Sequence, residues 1–279
     1  MAAEPTESSR PQVPVPVPAR PAPTPSIDPE NPNIHRWDNG LILHHEFITK
    51  EEEQEIINDV LSNEKMKGMK KRLSLHYGHL FDYTTFAASE TEYEPVPSYL
   101  TNMLPRLPIQ AYFPDQFTIQ YYPPGVGIPP HVDTHSAFYE ALYSLSLGSA
   151  VPMAFKKCGP TEARRIRNQK RSLAGDPSKS ETSSTPEQQQ EAQASETEEE
   201  QWEVLLPARS LLVMTGDSRY GYTHHIRGRK TDQIDGQVVR RSDRYSVTMR
   251  TIKKKGERDC QCDFPDVCDA RIINEQNGR

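Results

Sequence analysis

The 279-residue chain has no apolar run approaching the ~20 residues a helix needs to cross a bilayer, so neither a spanning helix nor a membrane partner is expected. Its N-terminal segment lacks the apolar core of a secretory signal and the acid-poor, Arg-rich character of a transit peptide. The protein is therefore expected in the cytoplasm, the nucleus or both. No Gly-x-Gly-x-x-Gly follows a strand-like run, and there is neither a P-loop nor a Gly-x-Ser-x-Gly. The usual signatures of dinucleotide binding, P-loop phosphate binding and serine hydrolysis are thus missing. Cysteine is scarce at 4 residues, too few for a disulfide scaffold. Apolar residues reach only 34%, so part of the chain is not expected to fold.

The apolar deficit is local. Residues 1–33 contain "PQVPVPVPARPAPTPSIDPENPN", which reads as a solvated, extended proline-rich tail. Residues 158–201 contain "SLAGDPSKSETSSTPEQQQEAQASETEEE" and read as a disordered insertion. What remains, residues 34–157 and 202–252, suffices for one core, followed by a tail over 253–279. Thr49 with Glu52 three residues on has the pattern of a capping box, opening a helix to about Leu61. A second short helix is expected near Ser98–Leu104. From Phe117 onward, short β-rich runs such as "FTIQYY", "HVDTH", "ALYSLSLG", "SLLVMTG" and "RYSVTMR" are punctuated by Gly and Pro. They indicate a mainly β fold with flanking helices, a sandwich or jelly roll.

The segment "IPPHVDTHSAF" sets His131, Asp133 and His135 at a period of two. In a strand, alternate residues share a face, so His131 and Asp133 can converge on one ion. His135 lies about 13 Å from His131 along an extended strand, which suggests a separate task. A second histidine from a later strand would complete a two-His, one-carboxylate triad of the kind that holds non-haem iron. "YGYTHHI" offers His224 and His225, only one of which can face inward. In "RYSVTMR", Arg244, Ser246, Thr248 and Arg250 share one face and Tyr245, Val247 and Met249 the other. An inward arginine is costly unless paired, and a bidentate carboxylate suits it best.

Together, "TIQYYPPGVGIPPHVDTHSAF", "SLSLGS", "LLVMTGDSRYGYTHHI" and "RYSVTMR" resemble the AlkB family of iron(II)- and 2-oxoglutarate-dependent dioxygenases. They are most similar to the branch that hydroxylates modified wobble uridine in tRNA. The resemblance implies a double-stranded β-helix, or jelly-roll, dioxygenase core. It implies that His131, Asp133 and His224 bind Fe(II) and carry catalysis. It further implies that Arg244, Arg250, Tyr122 and Gln120 bind 2-oxoglutarate. Gln120 stands where the family usually has Asn, keeping the amide with one more methylene, and His225 stands where this branch commonly has Gly. The implied reaction consumes O2 and 2-oxoglutarate, gives succinate and CO2, and hydroxylates a substrate C–H bond.

Cys260, Cys262 and Cys268 lie together in "CQCDFPDVC", a spacing that favours zinc and needs a fourth ligand. In the resembled branch that ligand is the histidine two residues after HxD, here His135, which implies a structural Zn site. Cys158 has no assigned role. Net charge is −6, yet basic runs "KMKGMKKR", "IRGRK", "RRSDR" and "KKKGER" lie in the folded part, as phosphate binding would require. The family's nucleotide-recognition lid would include Lys70, Lys71, Arg72 and the aromatics Tyr77, Phe81 and Tyr83. The expected partner is tRNA or another nucleic acid, read by a monomer. Animal members of the branch carry RNA-recognition and methyltransferase domains, and neither motif occurs here, so a tRNA methyltransferase is expected to act upstream in trans. The expected substrate is 5-methoxycarbonylmethyluridine. Two alternatives are oxidative demethylation of alkylated DNA or RNA bases and a non-catalytic, metal-stabilised binding module.

Overall fold

In the computed structural model, the described residues are 23–66, 71–82, 87–165, 201–254 and 256–276. The mainly β fold is as expected, with a jelly-roll core. Among these residues a nine-stranded sheet runs in the order β1 (Ser26–Ile27), β2 (Ile34–Arg36), β3 (Leu41–His44), β11 (Leu211–Met214), β8 (Leu142–Gly148), β15 (Arg244–Arg250), β6 (Gln116–Tyr122), β4 (Leu73–Asp82), β5 (Ala87–Glu94). A four-stranded sheet, β10 (Gln201–Leu206), β9 (Val151–Lys157), β12 (Tyr222–Ile226) and β7 (Ile128–His131), faces it. Among the described residues, β13 (Thr231–Ile234) and β14 (Gln237–Arg240) pair only with each other.

The period-two pattern of β15 explains how one strand serves two environments. Tyr245, Val247 and Met249 enter a core roofed by Ile56 and Val60 of α1 (Lys50–Ser62) and Leu100 of α2 (Ser98–Thr101). Arg244, Ser246, Thr248 and Arg250 point the other way, into a cavity between the sheets. A second core fills the rest of that space, with Leu142, Leu212 and Met214 against Phe155, Trp202 and Tyr222.

The capping box is present: Thr49 Oγ1 accepts from the Glu52 amide, and Glu52 Oε2 accepts from the Thr49 amide at 2.8 Å. The second helix is shorter than expected, ending at Thr101 before a 3-10 turn at Leu104–Arg106.

Three expectations change, and two hairpins are added. The chain leaves β7 after His131, so "HVDTH" is not one strand. Its carbonyls and amides beyond that point bind buried side chains instead of a neighbouring strand. Residues 23–33 are not all tail, because Ser26–Ile27 pairs with His35–Arg36 and the Trp37 indole donates to the Pro23 carbonyl. The insertion also begins later than residue 158 and ends sooner: Gln201 already pairs with Lys156, and residues 160–165 are helical. Finally, two hairpins had no sequence assignment. β4–β5 extends the large sheet from β6, its alternation resting on only Leu73, Leu75 and Tyr77. β13–β14 turns at Asp235-Gly236, both at positive φ (49° and 77°), as a two-residue hairpin loop favours. Most of the tail and insertion (1–22 and 166–200), with Lys70 and Tyr83, lie outside the described residues.

Candidate active site and metal cluster

His131 and His224 come from adjacent strands as direct cross-strand partners, and their rings lie 4.2 Å apart. Asp133 reaches the same point from the loop after β7, with Oδ2 3.6 Å from His224 Nε2. One ligand atom from each of the three lies within 4.8 Å of the others. The Pro129 carbonyl can only accept, so His131 Nδ1 carries a proton and donates to it at 2.9 Å. That leaves the Nε2 lone pair for a metal, the usual arrangement for a ligating imidazole.

Electrostatics favour the metal-ready forms of all three. Burial, followed by the neighbouring His131, pushes the His224 pKa down to about 3. His131 is also lowered, chiefly by burial. Burial pushes the Asp133 carboxyl up, but the charges around it, the Arg250 guanidinium foremost, outweigh it and hold the carboxyl well below the usual range. The result is two neutral imidazoles beside one carboxylate. His225 is the next residue in the strand and faces the opposite way, half-buried and outside the cluster.

The cavity behind these residues measures ≈ 250 Å³. Gln120, Tyr122, Arg244 and Arg250 all line it, so every residue expected at the site is gathered there. Arg244 is only 3% exposed. Its Nη2 donates to Ser146 Oγ at 3.0 Å, and its guanidinium lies 5.2 Å from the Tyr122 ring centre. Its buried Nε has no partner, and no carboxylate pairs with it among the described residues. A buried guanidinium with a free donor edge fits a carboxylate ligand, because an uncompensated buried charge is otherwise costly. The Tyr122 hydroxyl donates to Gln120 Oε1, so the longer amide still reaches its neighbour. Arg250 lines the cavity too, but its guanidinium is held by Asp133 Oδ1 and by Gln116 Oε1 at 3.2 Å.

The second cluster also assembles. His135, Cys260, Cys262 and Cys268 each present a ligand atom within 4.8 Å of the others, with Cys262 Sγ 3.5 Å from His135 Nδ1. Hydrogen bonding from Cys268 holds Cys260 down at about 3, while the same interaction raises Cys268 and burial raises Cys262. Three sulfurs and one imidazole nitrogen form a closed, soft donor set that suits zinc.

Of the lid aromatics, Tyr77 packs on the helix-side core and Phe81 tilts against Phe138 at 5.0 Å, so protein neighbours engage both rings. Arg219, Asp269 and Lys253 were missed by sequence reasoning. Arg219 sits five residues before His224 in "GDSRYGYTHH", and nothing in that spacing marks it as inward.

The sequence profile of the 2OG-Fe(II) oxygenase superfamily matches residues 40–250. The chain belongs to this superfamily. Within it the chain is a dioxygenase, similar to proteins whose names mark them as AlkB homologues. It is 32% identical over 242 residues to "Alkylated DNA repair protein ALKBH8 homolog" of Arabidopsis thaliana, covering 83% of this chain and 63% of that protein. It is also 32% identical over 261 residues to "tRNA (carboxymethyluridine(34)-5-O)-methyltransferase alkbh8" of Xenopus tropicalis, covering 85% of this chain and 35% of the relative. The oxygenase thus spans about a third to under two thirds of these relatives. The solved structure of OsALKBH1 aligns over 78% of the oxygenase and 99% of its own chain, with a TM-score of 0.47 and 12% identity.

Proposed function

We propose that this oxygenase hydroxylates a modified wobble uridine, 5-methoxycarbonylmethyluridine, in tRNA. In this reading His131, Asp133 and His224 hold Fe(II). Arg244, assisted by Tyr122 and Gln120, holds the distal carboxylate of 2-oxoglutarate, and Cys260, Cys262, Cys268 and His135 hold zinc. Iron, 2-oxoglutarate and O2 supply the oxidising chemistry. The protein's own residues orient the cosubstrate, keep Asp133 ionised through Arg250, and exclude water with the apolar walls Ile128, Met153, Met214 and Ile226.

The observation that carries a nucleic-acid substrate is the charge at the cavity mouth. Arg72, exposed, lines the cavity and lies 5.4 Å from the Tyr122 ring centre. Lys230 approaches Gly125 just beyond β6, and Arg165 donates to the Pro130 carbonyl, one residue from His131. Elsewhere on the surface, the β13–β14 arm presents exposed Arg240 beside exposed Val238 and Val239. Arg72 and Arg165 come from separate segments, and both lie beside the cavity, where a polyanion would have to approach. The choice of tRNA rests on the ALKBH8 relatives, one of whose names specifies tRNA carboxymethyluridine. The methyl ester of the proposed substrate requires a methyltransferase acting first, and the expected site of action is cytoplasmic, nuclear or both.

The Arabidopsis relative's name favours a second reading, oxidative demethylation of alkylated DNA. Succinate formation by purified protein with Fe(II), ascorbate and 2-oxoglutarate separates the two. Stimulation by tRNA bearing the modified uridine, and not by methylated oligonucleotides, is expected. The converse would favour demethylation.

A further inference from the structure

The loop that leaves β7 carries one residue of each cluster two positions apart, Asp133 for the active site and His135 for the cysteines. Something must hold such a loop open in both directions, and two buried side chains do so. Arg219, on α3 (Gly216–Tyr220), is only 2% exposed. Its Nη1 donates to the Asp133 carbonyl at 2.7 Å and its Nη2 to the Thr134 carbonyl at 2.9 Å. Asp269, the first residue of α4 (Asp269–Gln276), accepts from the His135 amide at 2.7 Å, the Ser136 amide at 3.2 Å and the Ser136 hydroxyl. The backbone is therefore gripped at four consecutive residues, 133–136, by donors on one side and an acceptor on the other.

Both grips are built onto the cysteine cluster. Asp269 directly follows Cys268, so whatever fixes that sulfur fixes the carboxylate. Lys253 bridges the His135 carbonyl at 3.1 Å and the Asp259 carbonyl at 2.8 Å, next to Cys260. The residue after Arg219, Tyr220, presents its ring edge-on to His135 at 4.9 Å. Phe264, within the cysteine loop, lies so close to Gly221 that a Cβ there would sit 2.2 Å from its ring. Thus the cysteine loop is seated on the α3–β12 junction, and that junction carries both Arg219 and His224.

We propose that Arg219 and Asp269 are positioning residues that couple the two clusters, so that occupancy of the cysteine cluster sets the metal affinity of the His131–Asp133–His224 site. Metal at the cysteine cluster fixes Cys268, and with it Asp269 and the backbone of residues 135–136. Arg219 fixes residues 133–134. Together they present Asp133 in the orientation that Arg250 completes. Without them the loop has more conformations to lose on binding metal. Coupling of this kind is reciprocal: metal in one cluster tightens the other by the same factor.

The inference rests on the metal-site reading above, and the test keeps the two apart. Mn(II) serves as the probe of the histidine–carboxylate site, because thiolates prefer Zn(II), and its binding to the full chain is read by electron paramagnetic resonance. With Zn(II) at one per chain, wild type should bind Mn(II) at least tenfold more tightly than the same protein with Zn(II) removed. Arg219→Met and Asp269→Asn, with zinc still bound and near-UV circular dichroism unchanged, should lose about 10- to 100-fold in Mn(II) affinity, the usual effect of removing an outer partner of a metal ligand. Arg219→Lys should recover part of the loss through a single hydrogen bond to a carbonyl. Failure of wild type to bind Mn(II) at all would overturn the metal-site reading itself. Mn(II) binding that is indifferent to zinc would overturn the coupling alone, and a protein that binds no zinc would overturn both the coupling and the cysteine-site reading. If Arg219→Met fails to fold, the wild-type comparison with and without zinc still decides.

Discussion

Arg250 holds Asp133 by one oxygen: its Nε and Nη2 lie 3.1 and 2.9 Å from Oδ1, which turns Oδ2 toward His224. The pair is buried, so removing the cation leaves an uncompensated carboxylate. Arg244, six residues earlier on the same face, has no such partner among the described residues. The two arginines should therefore fail differently. Arg250→Met should weaken Mn(II) or Fe(II) binding by about 10- to 100-fold. Arg244→Met should leave metal affinity within a few-fold and raise the KM for 2-oxoglutarate. Equal effects of both variants on cosubstrate binding alone would contradict this division.

Neighbouring histidines in β12 face opposite ways. His224→Ala should abolish stoichiometric Fe(II) binding and succinate formation, whereas His225→Ala should retain both. Iron titration followed by a decarboxylation assay checks this. Loss of iron in the His225 variant would reassign the ligand.

The cysteine cluster should contain one zinc per chain by elemental analysis of purified protein. Cys262→Ser should lose it and lower the melting temperature. Protein that carries no zinc, and whose stability is unaltered by a strong chelator, would contradict the closed four-ligand site.

At the start of α1, Thr49→Ala removes the acceptor for the Glu52 amide. The cost should be about 1 kcal/mol in urea unfolding. Metal binding should not change, because α1 packs on the opposite face of the large sheet from the cavity. A change in Mn(II) affinity would contradict that separation.

The exposed cations Lys230 and Arg240 are expected to act through phosphate. Lys230→Glu with Arg240→Glu should weaken tRNA binding and reduce its salt slope by about one unit for each phosphate no longer neutralised. Succinate formation without tRNA should be unaffected. An unchanged salt slope would contradict a phosphate role for the arm.

Local rules reached far into this fold. The capping box at Thr49, the two-faced alternation of Arg244–Arg250 and the spacing of the cysteine cluster were all legible, because each depends on neighbours within a few residues. The bend after His131 was not, since its cause is tertiary: Arg219 and Asp269 reach it from 85 and 134 residues away. The β13–β14 arm had a readable signal in Asp235-Gly236, but its polar strands gave no core-facing pattern. Choosing between His224 and His225 needed either the resemblance or the register with His131, since strand alternation alone allows both.

The most direct measurement is mass spectrometry of tRNA nucleosides after incubation with purified protein, Fe(II), ascorbate and 2-oxoglutarate, using tRNA that carries 5-methoxycarbonylmethyluridine. Addition of one oxygen to that nucleoside, matched by succinate and absent with His131→Ala, is the expected result. An unchanged nucleoside alongside loss of methyl groups from alkylated DNA or RNA would contradict the wobble-uridine assignment and leave a demethylase.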